Sequence, residues 1–134
     1  IIRGLVGSEM CIRDREKDSF CSQFDKPFIK AVSYQNKELL LNLDQHYPNA
    51  YAFIVDSHQE GEMGGTGTTF QEKNLSFSSK KPILVAGGIN STNVINVVKT
   101  YNPYGIDVSS GVESSKGIKS IKLIKELVEI IKNE

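Results

Sequence analysis

The segments ILVAGG (residues 83–88) and GIDVSSG (residues 105–111) share one arrangement, a short apolar run that ends in glycine or serine. Each lies just after a proline, Pro82 or Pro103, and proline commonly marks the boundary before a new element. Nearly continuous apolar runs are typical of parallel strands that are covered on both faces. The two segments therefore predict parallel strands whose carboxyl ends lead into loops rich in glycine or serine.

Short apolar runs alternate with longer amphipathic segments from residue 16 onward, which is the pattern of a parallel sheet with crossover helices. The predicted strands are Phe28–Val32, Ala52–Asp56, Ile83–Ala86 and Gly105–Val108. The predicted helices are Lys37–Leu43, Ser91–Thr100 with Asn90 or Ser91 as N-cap, and Ile118–Lys132. The last helix has an apolar stripe made of Ile118, Ile121, Ile124, Leu127, Val128 and Ile131. We therefore predict an α/β fold.

The composition excludes several classes of protein. Of 134 residues, 39% are hydrophobic and 24% are charged, as in globular domains. Sixteen basic and sixteen acidic residues cancel without clustering, so we expect no nucleic-acid partner. No apolar run approaches the roughly 18 residues that span a bilayer, so we expect no membrane partner and a cytoplasmic location. Two cysteines and two histidines are too few and too scattered to predict a metal site.

Residues 1–15 have mixed charge and no regular apolar period. The string LVGSEMCIRDR (residues 5–15) resembles the translation of an adapter used in sequencing libraries. We therefore interpret 1–15 as a non-native segment and 16–134 as the natural domain.

The glycine-rich strand ends predict a phosphate site. Glycine lets backbone N–H groups approach a phosphate closely, and a following helix N-terminus adds partial positive charge. The predicted phosphate ligands are Gly87, Gly88, Ser109, Ser110 and Gly111. A purely structural role in tight turns is the alternative. Another glycine-rich stretch, Gly64, Gly65, Thr66 and Gly67, lacks the Gly-Lys-Ser/Thr ending of a P-loop, and we interpret it as a loop over the active site.

Two aspartates belong to the predicted strand ends. Asp56 ends its strand, where lost hydration favours the protonated form and suits general-acid catalysis; an N-cap or turn carboxylate is the alternative. Asp107 lies within its strand and either points into the site or satisfies neighbouring backbone groups. We expect Asp56 at the same rim as the phosphate loops, separated from them by the width of a sugar. We also expect a helical turn that begins near Val112 and points its N-terminus at the phosphate.

These residues together resemble the phosphoribosylanthranilate isomerase family. The resemblance rests on Asp56-Ser57, Gly64-Gly65-Thr66-Gly67 with Phe70, Ala86-Gly87-Gly88-Ile89-Asn90 with Asn93-Val94, and Asp107-Val108-Ser109-Ser110-Gly111-Val112-Glu113 with Gly117. One departure is Glu72, where the family usually has an aromatic residue. The resemblance extends from about Ser19 to the C-terminus and implies strands five to eight of a (β/α)8 TIM barrel.

The resemblance implies a phosphosugar substrate, N-(5'-phosphoribosyl)anthranilate, and an Amadori rearrangement in tryptophan biosynthesis without cofactor or metal. Asp56 matches the family's general acid, Asp107 an auxiliary aspartate, and the loops after the last two strands its phosphate ligands. The family's general base is a cysteine on strand one, and the arginine that binds the anthranilate carboxylate lies on strand two. Neither can be assigned in this sequence.

Four alternatives stay open at this point. Met10–Ile12 could be a first strand that carries a catalytic Cys11, but Arg13 and Asp14 follow where the family has glycine and isoleucine. Another phosphate-binding barrel, such as indole-3-glycerol-phosphate synthase, would share the last two loops. The polypeptide could be an inert product of a truncated gene. Finally, the full-length gene could be fused to, or its product associated with, other tryptophan-pathway enzymes.

Overall fold

The computed structural model describes residues 17–24, 26–57 and 76–133. Its main feature is a four-stranded, fully parallel sheet in the order β1-β2-β3-β4. The strands are β1 Ile29–Ser33, β2 Ala52–Asp56, β3 Ile83–Ala86 and β4 Gly105–Asp107. All four predicted strands are present, with bounds shifted by at most one residue. Each strand pairs with the next along the chain, as in a β/α barrel and unlike a doubly wound sheet, whose strand order reverses.

Five helices and a hairpin accompany this sheet in the described residues. The helices are α1 Asp18–Cys21, α2 Lys37–Leu41, α3 Leu43–His46, α4 Val94–Tyr101 and α5 Ile121–Lys132, with 3-10 turns at Ser22–Phe24 and Ser110–Val112. A small antiparallel hairpin, β5 Glu113–Ser115 and β6 Ile118–Lys119, stands between β4 and α5. The fold is therefore α/β with a parallel sheet.

The helices α2 to α5 pack on one face of the sheet. Alternate strand residues on that face, among them Val32, Phe53 and Val85, are completely buried. Leu40 and Leu43 from α2 and α3 cover its first half. The second half is covered by apolar residues of α4 and α5, namely Val94, Val97, Leu123, Leu127, Ile130 and Ile131. Burying a side chain such as Phe53 stabilises a fold by about 1.5–3 kcal/mol, so this face anchors the sheet.

The opposite face of the sheet has an apolar cluster of its own. Ala31, Ile54 and Ala86 form a separate buried cluster there, with Ile29 and Leu84 packed against it. Lys30 is paired in register with Phe53 and therefore lies on the helix-covered face, where it is buried. Its ammonium group stands 4.9 Å from the centre of the Tyr47 ring. Lys30 is thus a buried residue under the helices.

Three predicted helices begin or end elsewhere. The predicted helix Lys37–Leu43 breaks at Asn42, whose side-chain amide donates to the Glu38 carbonyl at 3.2 Å. The predicted helix Ser91–Thr100 becomes a turn followed by α4. The predicted start at Ile118 is wrong, because Ile118 and Lys119 pair with the preceding strand and Ser120 caps α5 by accepting from the Leu123 N–H at 3.3 Å.

The apolar stripe predicted for the last helix is also partly wrong. Leu127 and Ile131 face the core as expected, whereas Ile121, Ile124 and Val128 are exposed. The helix has apolar residues on two adjacent faces, and periodicity alone does not indicate which of them docks.

The segment before β3 is fastened to α3 by Asp44. The Ser79 hydroxyl and the Lys80 N–H donate to its two carboxylate oxygens at 2.6 and 2.8 Å. These bonds, the Ser79 bond first, hold the pKa of Asp44 below its usual value against the opposing effect of burial. Lys81 continues the attachment by donating to the Pro48 carbonyl at 2.6 Å. These contacts fix the start of β3.

Candidate active site at the carboxyl ends of the strands

One row of residues crosses the sheet at the carboxyl ends of its strands. Ser33 pairs with Asp56, Asp56 with Ala86, and Ala86 with Asp107. Residues paired in register lie on the same face, and alternation places this row on the face of Ile54, away from the helices. Asp56 and Asp107 are separated by one strand, so their backbones lie about 10 Å apart. The structure therefore places both predicted aspartates on one face at one rim.

Backbone bonds from both neighbouring strands hold Asp56. Its carbonyl accepts from the Tyr34 N–H at 3.1 Å, and the next N–H, that of Ser57, donates to the Ala86 carbonyl at 3.1 Å. The side chain is half-buried. A Cβ atom added to Gly87 would stand 2.8 Å from Asp56 Oδ1. The predicted separation from the phosphate loops was therefore wrong for the first loop, because Gly87 folds back over the strand end.

Gly87 and Gly88 turn the chain at the end of β3. Their φ angles are +100° and +62°, in the region that only glycine adopts readily. A side chain on Gly87 would also collide with the Ser57 hydroxyl. Conformation and space together require glycine at residue 87.

Two asparagines shape the turn that follows. Asn93 Oδ1 accepts from the Asn90 N–H, and Asn93 Nδ2 donates to the Gly88 carbonyl, both at 2.9 Å. Asn90 Oδ1 accepts from the Thr92 N–H at 2.9 Å within the turn, but α4 begins only at Val94 and its N-cap is Asn93, so the predicted cap at Asn90 or Ser91 is wrong. The Thr92 hydroxyl also donates to Asn90 Oδ1 at 2.6 Å, and Asn90 Nδ2 makes a weaker bond to Gly88 O at 3.4 Å. These five bonds leave the turn little freedom.

The loop after β4 lies against this turn. A Cβ on Gly111 would overlap the carbonyl of Ile89 and come within 3.1 Å of Asn90 Cα. The two glycine loops therefore stand side by side at one end of parallel, neighbouring strands, as predicted. The predicted helical turn is present, but it begins at Ser110 and ends at Val112.

Known proteins match nearly the whole chain. Residues 10–130 match the family described as N-(5'phosphoribosyl)anthranilate (PRA) isomerase. The N-(5'-phosphoribosyl)anthranilate isomerase of Hahella chejuensis is 40% identical over 119 residues, which are 89% of this chain and 56% of that protein. The chain belongs to the N-(5'-phosphoribosyl)anthranilate isomerase family.

The isomerase family is also evident in three dimensions. The phosphoribosyl anthranilate isomerase of Thermotoga maritima has a TM-score of 0.71 at 26% identity and covers 91% of this chain and 60% of that one. The Pyrococcus furiosus isomerase has a TM-score of 0.61 at 34% identity and covers 87% and 56%. The chain spans little more than half the length of these relatives. The alternative of indole-3-glycerol-phosphate synthase is not the family that matches.

The sequence did not indicate a charged cluster at the loop after β4. Lys119 Nζ donates to Ser109 O at 2.9 Å, to Ser109 Oγ at 3.1 Å and to Glu113 Oε1 at 2.6 Å. Glu113 Oε2 accepts from the Gly117 N–H at 3.0 Å. The Lys119 bond, and after it the Gly117 bond, hold the pKa of the Glu113 carboxyl below its ordinary value. Lys119 was assigned to a helix, so nothing in the sequence directed it toward Ser109.

Two serines at the rim were also missed. Ser33 lies beside Asp56 in the register row, and its hydroxyl accepts from the Gln35 N–H at 3.3 Å. Ser57 is 94% buried, and its Oγ has no hydrogen-bond partner within the part of the chain that the structure describes. Because strand residues alternate between faces, the sequence could have placed Ser33 on the same face as Ala31, at the rim. Its pairing with Asp56 is visible only in the assembled sheet.

Some predicted features lie outside the described residues. These are the segment 1–15 and the loop residues Gly64, Gly65, Thr66 and Gly67. The family match begins at residue 10 and thus overlaps the end of the segment interpreted as adapter. Over residues 17–24, 26–57 and 76–133, no three His, Cys, Asp or Glu side chains cluster as metal ligands. No helix in those ranges has the length and apolar character needed to cross a membrane.

Proposed function

We propose that this chain supplies strands five to eight, with their helices, to the barrel of an N-(5'-phosphoribosyl)anthranilate isomerase. The complete enzyme would convert its substrate to 1-(2-carboxyphenylamino)-1-deoxyribulose 5-phosphate in tryptophan biosynthesis. The observation that carries the proposal is the juxtaposition of Asp56 with the Gly87 turn, beside the Ser109–Gly111 loop. A carboxyl group next to backbone donors suits a phosphosugar whose ring oxygen lies a few bonds from its phosphate.

In the proposed mechanism, Asp56 donates its proton to the furanose ring oxygen. The ring C1–O bond breaks, and the anthranilate nitrogen becomes a Schiff base. A base then removes the C2 proton to give an enolamine, which tautomerises to the ketone by taking a proton at C1, so the product is an isomer. The family resemblance assigns the base to a cysteine on strand one, in the part of the barrel that precedes these strands. Asp107, one strand beyond Ala86, has an auxiliary role.

The proposed phosphate site uses backbone donors of Gly87, Gly88, Ser109, Ser110 and Gly111. Its support is the close contact between the two loops and the positive φ angles that turn the first of them at the rim. Two loops from neighbouring strands can converge on one anion, which is the usual arrangement for phosphate in β/α barrels. No cofactor or metal takes part in this mechanism.

The test uses the full-length isomerase, meaning the complete reading frame that contains residues 16–134. Asp56→Asn should lower kcat by about 10²- to 10⁴-fold while KM changes little, because the acid acts on the transition state. Asp18→Asn is the control. Asp18 lies on α1, away from the rim, and its carboxylate accepts from the Asn49 N–H and the Ser22 hydroxyl. An unchanged kcat in Asp56→Asn would remove this residue from the mechanism.

Two further parts of the proposal concern the chain as it stands. We infer that residues 1–15 derive from an adapter, and an independently sequenced clone should lack them; their presence there would contradict this. We also infer that the 134-residue chain alone has no turnover, because we do not interpret Cys11 as the family's strand-one base and because, within the described residues, β1 and β4 each pair with a strand on one side only. Turnover by the purified chain at the rate of the full-length isomerase would refute that inference.

A further inference from the structure

The ammonium group of Lys119 has a defined set of partners at the rim. It donates to the carbonyl and hydroxyl oxygens of Ser109 and to Glu113 Oε1, at distances between 2.6 and 3.1 Å. An ammonium group has three protons and no acceptor. The three bonds therefore account for all its donors and attach β6 to the loop after β4.

These bonds determine what the Ser109 hydroxyl can do. Lysine can only donate, so Ser109 Oγ must be the acceptor in their contact. The hydroxyl hydrogen must then point away from Lys119, and it is available for an external acceptor. The neighbouring positive charge polarises the O–H bond, and hydrogen bonds supported by charge are shorter and stronger than neutral ones. Ser109 is thereby arranged as a donor.

Glu113 completes the arrangement without supplying a donor to the site. Its two carboxylate oxygens accept from Lys119 and from the Gly117 N–H, which closes the base and the turn of the β5–β6 hairpin. The side chain of Lys119 is 45% exposed and that of Glu113 15% exposed. Because the pair is formally neutral, Lys119 acts through the geometry of Ser109 rather than through net attraction of an anion.

We propose that Lys119 is a positioning residue for phosphate, which fixes the Ser109 hydroxyl as a donor to a phosphate oxygen of the substrate. This inference rests on the proposed function. The sequence pattern predicted a phosphate site of backbone groups and serines alone; the structure adds a lysine behind one of those serines.

A double-mutant cycle in the full-length isomerase tests the inference, with inorganic phosphate as the probe. Lys119→Met should weaken competitive inhibition by phosphate about ten- to hundredfold, the equivalent of one hydrogen bond to a charged group. KM should rise by a similar factor with kcat nearly unchanged. Ser109→Ala should have a comparable effect, and the double variant should be scarcely weaker than either single variant. A merely structural lysine would give effects that add.

The matched control is Lys122→Met, which removes the same charge from an exposed position on α5. Its phosphate affinity should equal that of the unaltered enzyme. Lys119→Gln, which keeps a donor without the charge, should fall between the two and serves if Lys119→Met does not fold. Additive effects in the cycle, or a Lys119 variant as tight as the control, would overturn the inference.

The outcome also separates this inference from the proposed function. If the unaltered full-length protein is neither inhibited by phosphate nor active on the substrate, the proposed function fails. If it is both inhibited and active, and Lys119→Met binds phosphate as Lys122→Met does, only the role of Lys119 fails.

Discussion

The two loops at the rim are held in different ways. The turn at Gly88–Asn93 is fixed by neutral amide groups, since Asn93 bonds both the Asn90 N–H and the Gly88 carbonyl. The loop at Ser109 is fixed by an ammonium group that a carboxylate supports. Neutral hydrogen bonds depend little on pH and salt, whereas a partly exposed ion pair weakens when its carboxylate is protonated and when salt shortens the Debye length from about 10 Å at 0.1 M to about 3 Å at 1 M. One half of the proposed phosphate site should therefore respond to solution conditions and the other should not.

The contact between the loops should be the most sensitive point. Gly111→Ala would drive a methyl group into the Ile89 carbonyl, and backbone on both sides must then shift. We expect a loss of about 2–4 kcal/mol in the free energy of unfolding, measured with urea on the full-length isomerase, and a large rise in KM.

Gly105→Ala is the matched control for Gly111→Ala, because the nearest atom to its added methyl would be Leu84 Cδ2 at an ordinary 3.7 Å. It should cost much less. Equal losses in the two variants would show that the loops are not in the contact described.

The Asn93 side chain acts as a neutral clamp on the Gly88–Asn90 turn, and its removal should lower the free energy of unfolding somewhat less. Asn93→Ala deletes two bonds to the Gly88–Asn90 turn, and we expect a loss of about 1–3 kcal/mol that is the same at pH 4 and pH 7. Asn93→Asp retains the acceptor for the Asn90 N–H but loses the donor to the Gly88 carbonyl. At pH 7 this variant should therefore lose at least the free energy of unfolding that one hydrogen bond contributes. Urea unfolding at the two pH values is the measurement. A loss for Asn93→Ala that disappears at pH 4 would contradict a neutral clamp.

The stabilising effect of the charged clamp, the Lys119–Glu113 pair that holds Ser109, should in contrast depend on pH. The pKa of Glu113 is lowered in the folded protein from its ordinary value of 4.5, mainly by Lys119. Its contribution to stability is therefore complete above 4.5 and declines as the pH falls through the lowered value. Glu113→Gln should lower the urea midpoint slightly at pH 7, and the difference from the unaltered enzyme should shrink below pH 4.5 and in 1 M salt. A difference that grows on acidification would reverse the assignment.

The smallest effect is expected at Ser57. Its buried hydroxyl has no partner among the described residues, so Ser57→Ala should change the free energy of unfolding by less than about 1 kcal/mol. Ser79→Ala is the comparison, since Ser79 donates to Asp44 at 2.6 Å and accepts from the Lys81 N–H at 2.9 Å. It should cost more. A larger loss at Ser57 than at Ser79 in the same urea titration would reveal a bond to that hydroxyl.

The strands were predictable because their signals are local. Apolar runs after proline predicted β1 to β4 to within one residue, and the parallel pairing followed from their character. Asp56, Gly87 and Gly88 were predictable for the same reason, because each ends a predicted strand or follows directly after one. That Asp107 lies on the same face as Asp56 depends on the pairing of Ala86 with Asp107. The sequence of one strand does not determine this pairing.

The errors occurred where contacts distant in the sequence decide the structure. Ile118 and Lys119 have a helical pattern, yet they pair with Glu113 and Ser115 across a turn at Gly117, whose φ is +81°. The Lys119–Ser109 contact depends on that hairpin. Gly87 was predicted as a phosphate ligand, but its approach to Asp56 depends on how far the turn folds back, which composition does not indicate.

The sequential order of the four strands has a consequence for how the sheet assembles. Each strand, once made, finds its neighbour already present in the chain, so no strand must be inserted between two others. Loop-closure entropy rises with the logarithm of loop length, and the connection from β2 to β3 is the longest of the three. The pairings β1–β2 and β3–β4 therefore cost less entropy to close than β2–β3. The β2–β3 pairing lies between Asp56 and the Gly87 turn. The proposed site therefore forms only when the two halves of the sheet pair with each other.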